Sequence, residues 1–295
     1  MANTQLVQSL IDAGVHFGHR TSRWNPKMKP YIYGKRNLIH IIDVRETLKG
    51  ILAAQRFLKA LVGSGRDVLF VGTKRQARAV IDDVGKLTGM PVVTERWLGG
   101  TLTNYRTIRS RLKRLEELES TLQAPDVNKK FSKKMESSLK REYRKILRNL
   151  AGIRTMDRLP GAIFVVDVRR EVIAIQEARK LHIPVIGIID TDSDPDMVDI
   201  AIPANDDALR AIDLVLKEIA DAVVEGKSGR VAKEDMDRAK EGRTEARSET
   251  RPERPRGRPR RDSRAAEKPA VAAEAPAAAP SAESPAVEAQ PAVNG

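Results

Sequence analysis

Cysteine is absent from all 295 residues. No disulfide framework, thiolate metal site or cysteine nucleophile can therefore be built, and a reducing compartment suits the chain. Long apolar runs are missing too. The stretch from Ile183 to Ile189 falls far short of the ~20 residues that span a bilayer, so no membrane association is expected. The first residues, Met-Ala-Asn-Thr-Gln, lack a charged start followed by an apolar stretch, which predicts a cytoplasmic protein with no secretory signal. A dinucleotide fingerprint is also lacking: Gly63 and Gly65 precede the first strand pattern and only Gly72 follows it. No cofactor and no small-molecule substrate are expected.

What the chain has in excess is positive charge. Lys plus Arg number 53 against 40 Asp plus Glu, a net charge of +13 and a pI near 10.0. The surplus is concentrated: residues 1–100 hold 16 basic and 7 acidic side chains and residues 101–154 hold 15 and 6, whereas residues 155–226 reverse to 7 and 15. A basic first half followed by an acidic block is a directed surface, and a polyanion is the partner it predicts.

Three short apolar runs, 67–72, 162–167 and 184–189, read as strands buried on both faces, with weaker strands at 91–94 and 199–202. Helical spacing follows them, at Ala77, Val80, Ile81 and Val84 and at Val172, Ile173, Ile175 and Ala178. This alternation predicts an α/β fold, a Rossmann-like parallel sheet covered on both sides in three layers. Ahead of it come a helix near 4–13, a hairpin across 31–42 turning at Gly34 to Asn37, and a helix over 44–62; another helix is expected at 206–225. Residues 102–154 break the rhythm. Ile108, Leu112, Leu115 and Leu122, then Phe131, Met135, Leu139, Tyr143, Ile146, Leu150 and Ile153, recur at helical spacing and predict two helices joined near Pro125 as an antiparallel coiled-coil hairpin. Arg109, Lys113, Lys130, Lys134, Lys140, Arg141, Arg144 and Arg148 would face outward. The domains expected are thus a globular α/β domain of 1–101 and 155–226, a hairpin insertion at 102–154, and a disordered low-complexity tail from 227 to 295 rich in Arg, Pro, Ala and Glu.

Several patterns that could carry catalysis fail on spacing. His16 and His19 stand three apart with no glutamate between them, unlike a metalloprotease helix. Asp190 to Asp196 mimics a calcium loop, but Pro195 occupies the position that needs glycine and Ala201 the one that needs glutamate. Gly72-Thr73-Lys74-Arg75 resembles the end of a phosphate loop without its upstream glycine. Two minor readings stay open: a phosphotransferase using Asp190 and Asp192 with magnesium, and a structural metal shared by His19 and a strand-end carboxylate such as Asp190. A coiled-coil protein adaptor is a third alternative function.

The segment from Arg20 to Arg36 differs in kind, with prolines holding it extended and Trp24, Tyr31 and Tyr33 set among Arg20, Arg23, Lys27, Lys29, Lys35 and Arg36. Cations neutralise phosphates and an exposed ring stacks on an unpaired base, although buried rings would equally explain the aromatics. Lys74, Arg75 and Arg78 flank a helix N-terminus that suits phosphate. Arg96, Asn104, Arg106, Arg109 and Lys113 cluster where Gly99-Gly100 turns the chain into the helical insertion.

These blocks resemble a family. Ala13-Gly-Val-His-Phe-Gly-His19, Trp24-Asn-Pro-Lys-Met-Lys-Pro30, Ile39-His-Ile-Ile-Asp43, Leu69-Phe-Val-Gly-Thr-Lys74, Arg96-Trp-Leu-Gly-Gly-Thr-Leu-Thr-Asn104, Pro160-Gly-Ala-Ile-Phe-Val-Val-Asp167 and Asp190-Thr-Asp-Ser-Asp-Pro-Asp196 are similar in order and spacing to the bacterial small-subunit ribosomal protein family S-two, over about residues 5–226. The resemblance implies a flavodoxin-like sheet with a coiled-coil hairpin, and a structural constituent of the 30S subunit, not an enzyme. It further implies binding to 16S ribosomal RNA where head meets body, late assembly, contacts with neighbouring small-subunit proteins, and help in docking ribosomal protein S-one.

Overall fold

The computed structural model describes residues 2–124 and 131–249, with side chains described over 4–124 and 131–230. Met1–Ala246 form one compact unit and Arg247–Gly295 a second, of which only the last residues of a helix are described. Helix α1 (Ala2–Asp12) leads into β1 (Phe17–Arg20), β2 (Ile32–Arg36) and β3 (Ile39–Ile42), an antiparallel sheet of order β1-β3-β2. Helix α2 (Val44–Gly63) follows, with the Asp43 carboxylate accepting from the Arg45 amide at its start.

The main sheet comprises β4 (Val68–Val71), β5 (Val92–Val93), β6 (Ala162–Val166), β7 (Val185–Ile189) and β8 (Ile200–Pro203), all parallel, in the order β5-β4-β6-β7-β8. The helices that connect its strands are α3 (Arg75–Thr88), α4 (Tyr105–Gln123), α5 (Lys133–Leu150) and α6 (Val172–Lys180), and α7 (Leu209–Glu249) follows the last strand. Successive strand residues point to opposite faces. Val68, Phe70, Ala162, Phe164 and Val166 pack with α2, α3 and α7, while Leu69, Val71, Ile163 and Val165 pack with α6 and the bases of α4 and α5. Both faces of the central strands are therefore dry, which is why β4, β6 and β7 read as continuous apolar runs and not as alternations. Helix α2 lies against β8 so closely that a Cβ at Gly50 would collide with the Ala201 backbone carbonyl.

The three-layer α/β fold is as the sequence predicts, and the differences are local. The hairpin turns at Asn37 and Leu38, both at positive φ (51° and 62°), while Gly34 lies inside β2 opposite Ile41. A two-residue turn of that hand needs two left-handed residues, and asparagine takes that conformation more readily than most. Strand β1 has no alternating pattern in Phe17-Gly-His-Arg20 and forms because Phe17 and Arg20 pair with Ile41 and Ile39 of β3. Helix α7 continues past residue 226 to Glu249 through a stretch of Ala, Glu, Lys and Arg, good helix formers, so the first part of the tail is helical; residues 250–295 lie outside the described residues.

Between β5 and β6 run α4 and α5. Leu112, Leu115 and Leu118 of α4 are buried, but along α5 only Leu150 is, with Leu139, Tyr143 and Ile146 half-buried and Met135 54% exposed. Arg114 Nε lies 3.4 Å from Glu142 and the Tyr143 hydroxyl 3.4 Å from Glu119, so the two helices touch through polar side chains as well. Pro125 and Lys130 lie outside the described residues.

Candidate nucleic-acid interface

Strand order reverses between β4 and β6, and the C-terminal ends of those strands are where open α/β sheets place their ligands. Here the donors at the turn after β4 are taken from within. One Glu171 oxygen accepts from the Thr73 amide at 3.0 Å and from its hydroxyl at 2.5 Å, so the chain's own carboxylate takes the donors a phosphate would need. Burial pushes the Glu171 carboxyl up, against the pull of those two donors. Lys74, the residue that made this turn look like a phosphate loop, turns away and is buried. Its ammonium lies 2.7 Å from Asp206, 2.7 Å from Asp207 and 3.3 Å from Asp167. Burial works against the charge on Lys74, but the three carboxylates outweigh it and hold its pKa above the ordinary lysine range.

The same cluster reaches into the small sheet. His19 Nδ1 stands 2.8 Å from Asp190 Oδ2 and its Nε2 3.5 Å from Asp207. The hydrogen bond to Asp190 raises His19 to about 9, despite partial burial. Asp206 is pushed up to about 7 by burial and by its neighbours Asp167 and Asp190, with Lys74 opposing. The His19 amide donates to Thr191 Oγ1 at 2.9 Å and the Asn25 amide to the Thr191 carbonyl at 2.8 Å, which fastens β1 and the following segment to the end of β7. Glycine at 18 permits this approach, since a Cβ there would stand 2.5 Å from Thr191 Cγ2. One ligand atom each from His19, Asp206 and Asp207 lie within 4.8 Å of one another, a set that could hold a metal, although the Lys74 ammonium already supplies positive charge to both carboxylates. The carboxylates considered for phosphotransfer are tied elsewhere: Asp190 is 1% exposed and bonded to His19, and Asp192 pairs with Arg169 at 2.7 Å.

The candidate RNA contacts divide sharply. Arg20, Arg23, Lys29, Lys35, Arg36, Arg75, Arg96, Arg106 and Lys113 are exposed and have no carboxylate partner among the described residues. Arg20 and Arg36 flank Ile39 in one register row of the small sheet, which puts one arginine on each outer strand with β3 between them. Lys27 is exposed but bound to Asp194 and Asp196, Arg78 pairs with Glu95 at 3.1 Å, and Arg109 pairs with Asp157 at 2.7 Å. Lys74 is unavailable to any partner. Trp24 is half-buried with its ring 5.1 Å from that of His40, whereas Tyr33, another of the rings in that segment, is 81% exposed. Asn104 is exposed at the start of α4 and its side-chain oxygen accepts from Thr107.

The loop that carries Arg96 and Arg106 is set by a residue outside the expected RNA contacts. Buried Glu177 of α6 accepts from Trp97 Nε1 at 3.0 Å, from the Gly100 amide at 2.7 Å, and from the Leu102 and Thr103 amides at 2.9 and 3.1 Å. Burial alone would raise its pKa, and the donors around it bring it below the usual glutamate value. One carboxylate thereby fixes the angle at which the chain leaves the sheet for α4.

Comparison with known proteins falls on these same residues. Residues 10–226 match the family model described as Ribosomal protein S2. The chain is 57% identical over 227 residues to the Small ribosomal subunit protein uS2 of Rhodopirellula baltica, covering 77% of this chain and 86% of that one. It is 49% identical over 235 residues to the protein of the same description from Syntrophobacter fumaroxidans, covering 80% and 85%. Among the described residues no helix is long and apolar enough to cross a membrane. With matched residues spanning the small sheet, the five-stranded sheet and both helices between β5 and β6, the chain belongs to the ribosomal protein S2 family.

Proposed function

We propose that this protein is a structural, non-enzymatic constituent of the small ribosomal subunit in the cytoplasm, held there by 16S ribosomal RNA where head meets body. The observation that carries this reading is the set of nine exposed cations without a carboxylate partner among the described residues, placed on the small sheet, its connecting segment, the start of α3 and the entry to α4. Such charges release counterions from an RNA backbone, and folded RNA is read chiefly by shape. The sheet is the scaffold, α4 and α5 act as a coiled-coil arm, and those carboxylates of 155–226 that remain exposed, such as Asp221, face neighbouring small-subunit proteins, with support for docking S-one.

The test is incorporation in cells. Charge reversal of Arg96 and Arg106 together leaves the isolated fold intact, because neither has an internal partner, and lowers co-sedimentation of the chain with small subunits in low salt. Wild-type protein is released as free chain at high salt. Unchanged incorporation of the double variant would remove these cations from the interface, and failure of the wild-type chain to co-sediment would remove the function.

A further inference from the structure

We infer that the cleft between α5 and the C-terminal ends of β4 and β6 is a receptor for a single unpaired RNA nucleotide, with its phosphate on the arginine walls and its base or sugar against Ile173. This rests on the RNA reading above and names a site within it. The cleft has a volume of about 720 Å³. Six cations line it against two carboxylates, Glu95 and Glu171.

Three of the cations are held in place. Glu95 accepts from Arg78 at 3.1 Å and from two nitrogens of Arg148 at 3.0 and 2.9 Å, and Arg170 Nε donates to Thr73 Oγ1 at 2.9 Å. A guanidinium has five donors in a fixed fork, so each keeps N–H groups free after these bonds, aimed without further loss of side-chain freedom. The other three complete the wall. Arg96 and Lys145 are exposed with no acidic partner among the described residues, and Arg144 bonds only to the Lys140 carbonyl. A ring of arginine forks suits the bidentate geometry of phosphate.

The shape selects the form of RNA. An A-form duplex presents a broad convex surface that cannot enter a pocket of this size, whereas a looped-out or bulged nucleotide can. Ile173 is 56% exposed on the wall of this cationic cleft, an apolar surface that gains nothing from phosphate and can pack on a sugar or base. Trp97 does not play that part, being 7% exposed with its indole N–H committed to Glu177.

Because the chain has no cysteine, Ile173→Cys in the full-length protein gives one tether for an iron chelate that generates hydroxyl radicals in assembled small subunits. The expected result is cleavage of 16S ribosomal RNA centred on an unpaired nucleotide. A second tether at exposed Tyr33→Cys reports on the small sheet. Cutting from position 33 with none from 173 would overturn the cleft and leave RNA binding standing, while cutting from neither would overturn both. Cleavage from 173 confined to duplex RNA, or crosslinking of that cysteine to a neighbouring protein alone, would also overturn it. In binding to a 16S transcript, Arg144→Ala with Lys145→Ala should reduce the slope of log affinity against log salt by about 0.7, the one phosphate of a single-stranded nucleotide. An unchanged slope would refute the inference, as would saturation of the cleft by a free mononucleotide such as AMP with RNA affinity unaffected by the double variant.

Discussion

Lys74 and Arg75 are adjacent in sequence, of like charge, and opposite in use. Lys74 belongs to the polar cluster at the strand ends, where it is 9% exposed and surrounded by Asp167, Asp206 and Asp207. Arg75 belongs to the exposed rim and has no carboxylate partner among the described residues. The first region spends its charges on itself and ties the small sheet to the large one; the second has charges to offer. A buried ion pair stripped of one member leaves an uncompensated charge, whereas an exposed lone cation contributes almost nothing to the fold. Lys74→Ala should therefore cost about 3–5 kcal/mol of stability and Arg75→Ala less than about 0.5 kcal/mol, read from urea unfolding of the whole chain. The distinction breaks if the two variants unfold at the same denaturant concentration.

Glu177 sharpens the contrast from the other side, since a buried anion with several donors sets the entry to α4 while the cations beside it stay free. Glu177→Gln replaces one of two accepting oxygens with an NH₂ that faces the amides of the Gly100 to Thr103 turn. Charge-assisted bonds of this kind contribute roughly 1.5–3 kcal/mol each, so a loss of about 2–4 kcal/mol is expected. Limited proteolysis should show faster cleavage after Arg96 in the variant. Equal stability and equal cleavage would mean that the turn is held by packing of Trp97 and Leu102 alone.

The main sheet was legible because burial on both faces leaves a plain trace in sequence, the runs at 68–71, 162–166 and 185–189, and because helical spacing between them leaves few other topologies. The basic entry segment was legible as charge. What no local pattern could supply was pairing across distance. Asp206 lies 132 residues from Lys74, Asp190 lies 171 from His19, and Glu177 lies 77 from the Gly100 amide, so nothing near Lys74 or Arg109 marks them as already partnered. The cleft was hidden for the same reason. Arg144 and Arg148 read as an outward stripe on a helix, and Arg170 stands 22 residues further on in an acidic stretch; only the placement of α5 beside β4 and β6 gathers them. Strand β1 escaped notice because its four residues are held by pairing with β3 and by Thr191, not by a pattern of their own.

The smallest effect separates the two regions by pH. His19 and Asp206 both bind a proton more tightly in the folded chain than in the unfolded one, at about 9 against 6.5 and about 7 against 3.8. A raised folded pKa gives stability that is complete below the unfolded value and is lost as pH climbs through the folded one. The Asp206 contribution thus fades between about pH 4 and 7 and the His19 contribution between about 6.5 and 9, the latter on the order of 2 kcal/mol. His19→Asn keeps a donor for Asp190 but cannot titrate, so its stability should be flat between pH 7 and 9 where the wild-type chain declines. The exposed arginines stay charged throughout that range, and RNA affinity at fixed salt should not follow the decline while the chain remains folded. If His19→Asn shows the full wild-type decline, the alkaline loss has another source, and the bond from His19 to Asp190 is not what fastens the small sheet to the strand ends.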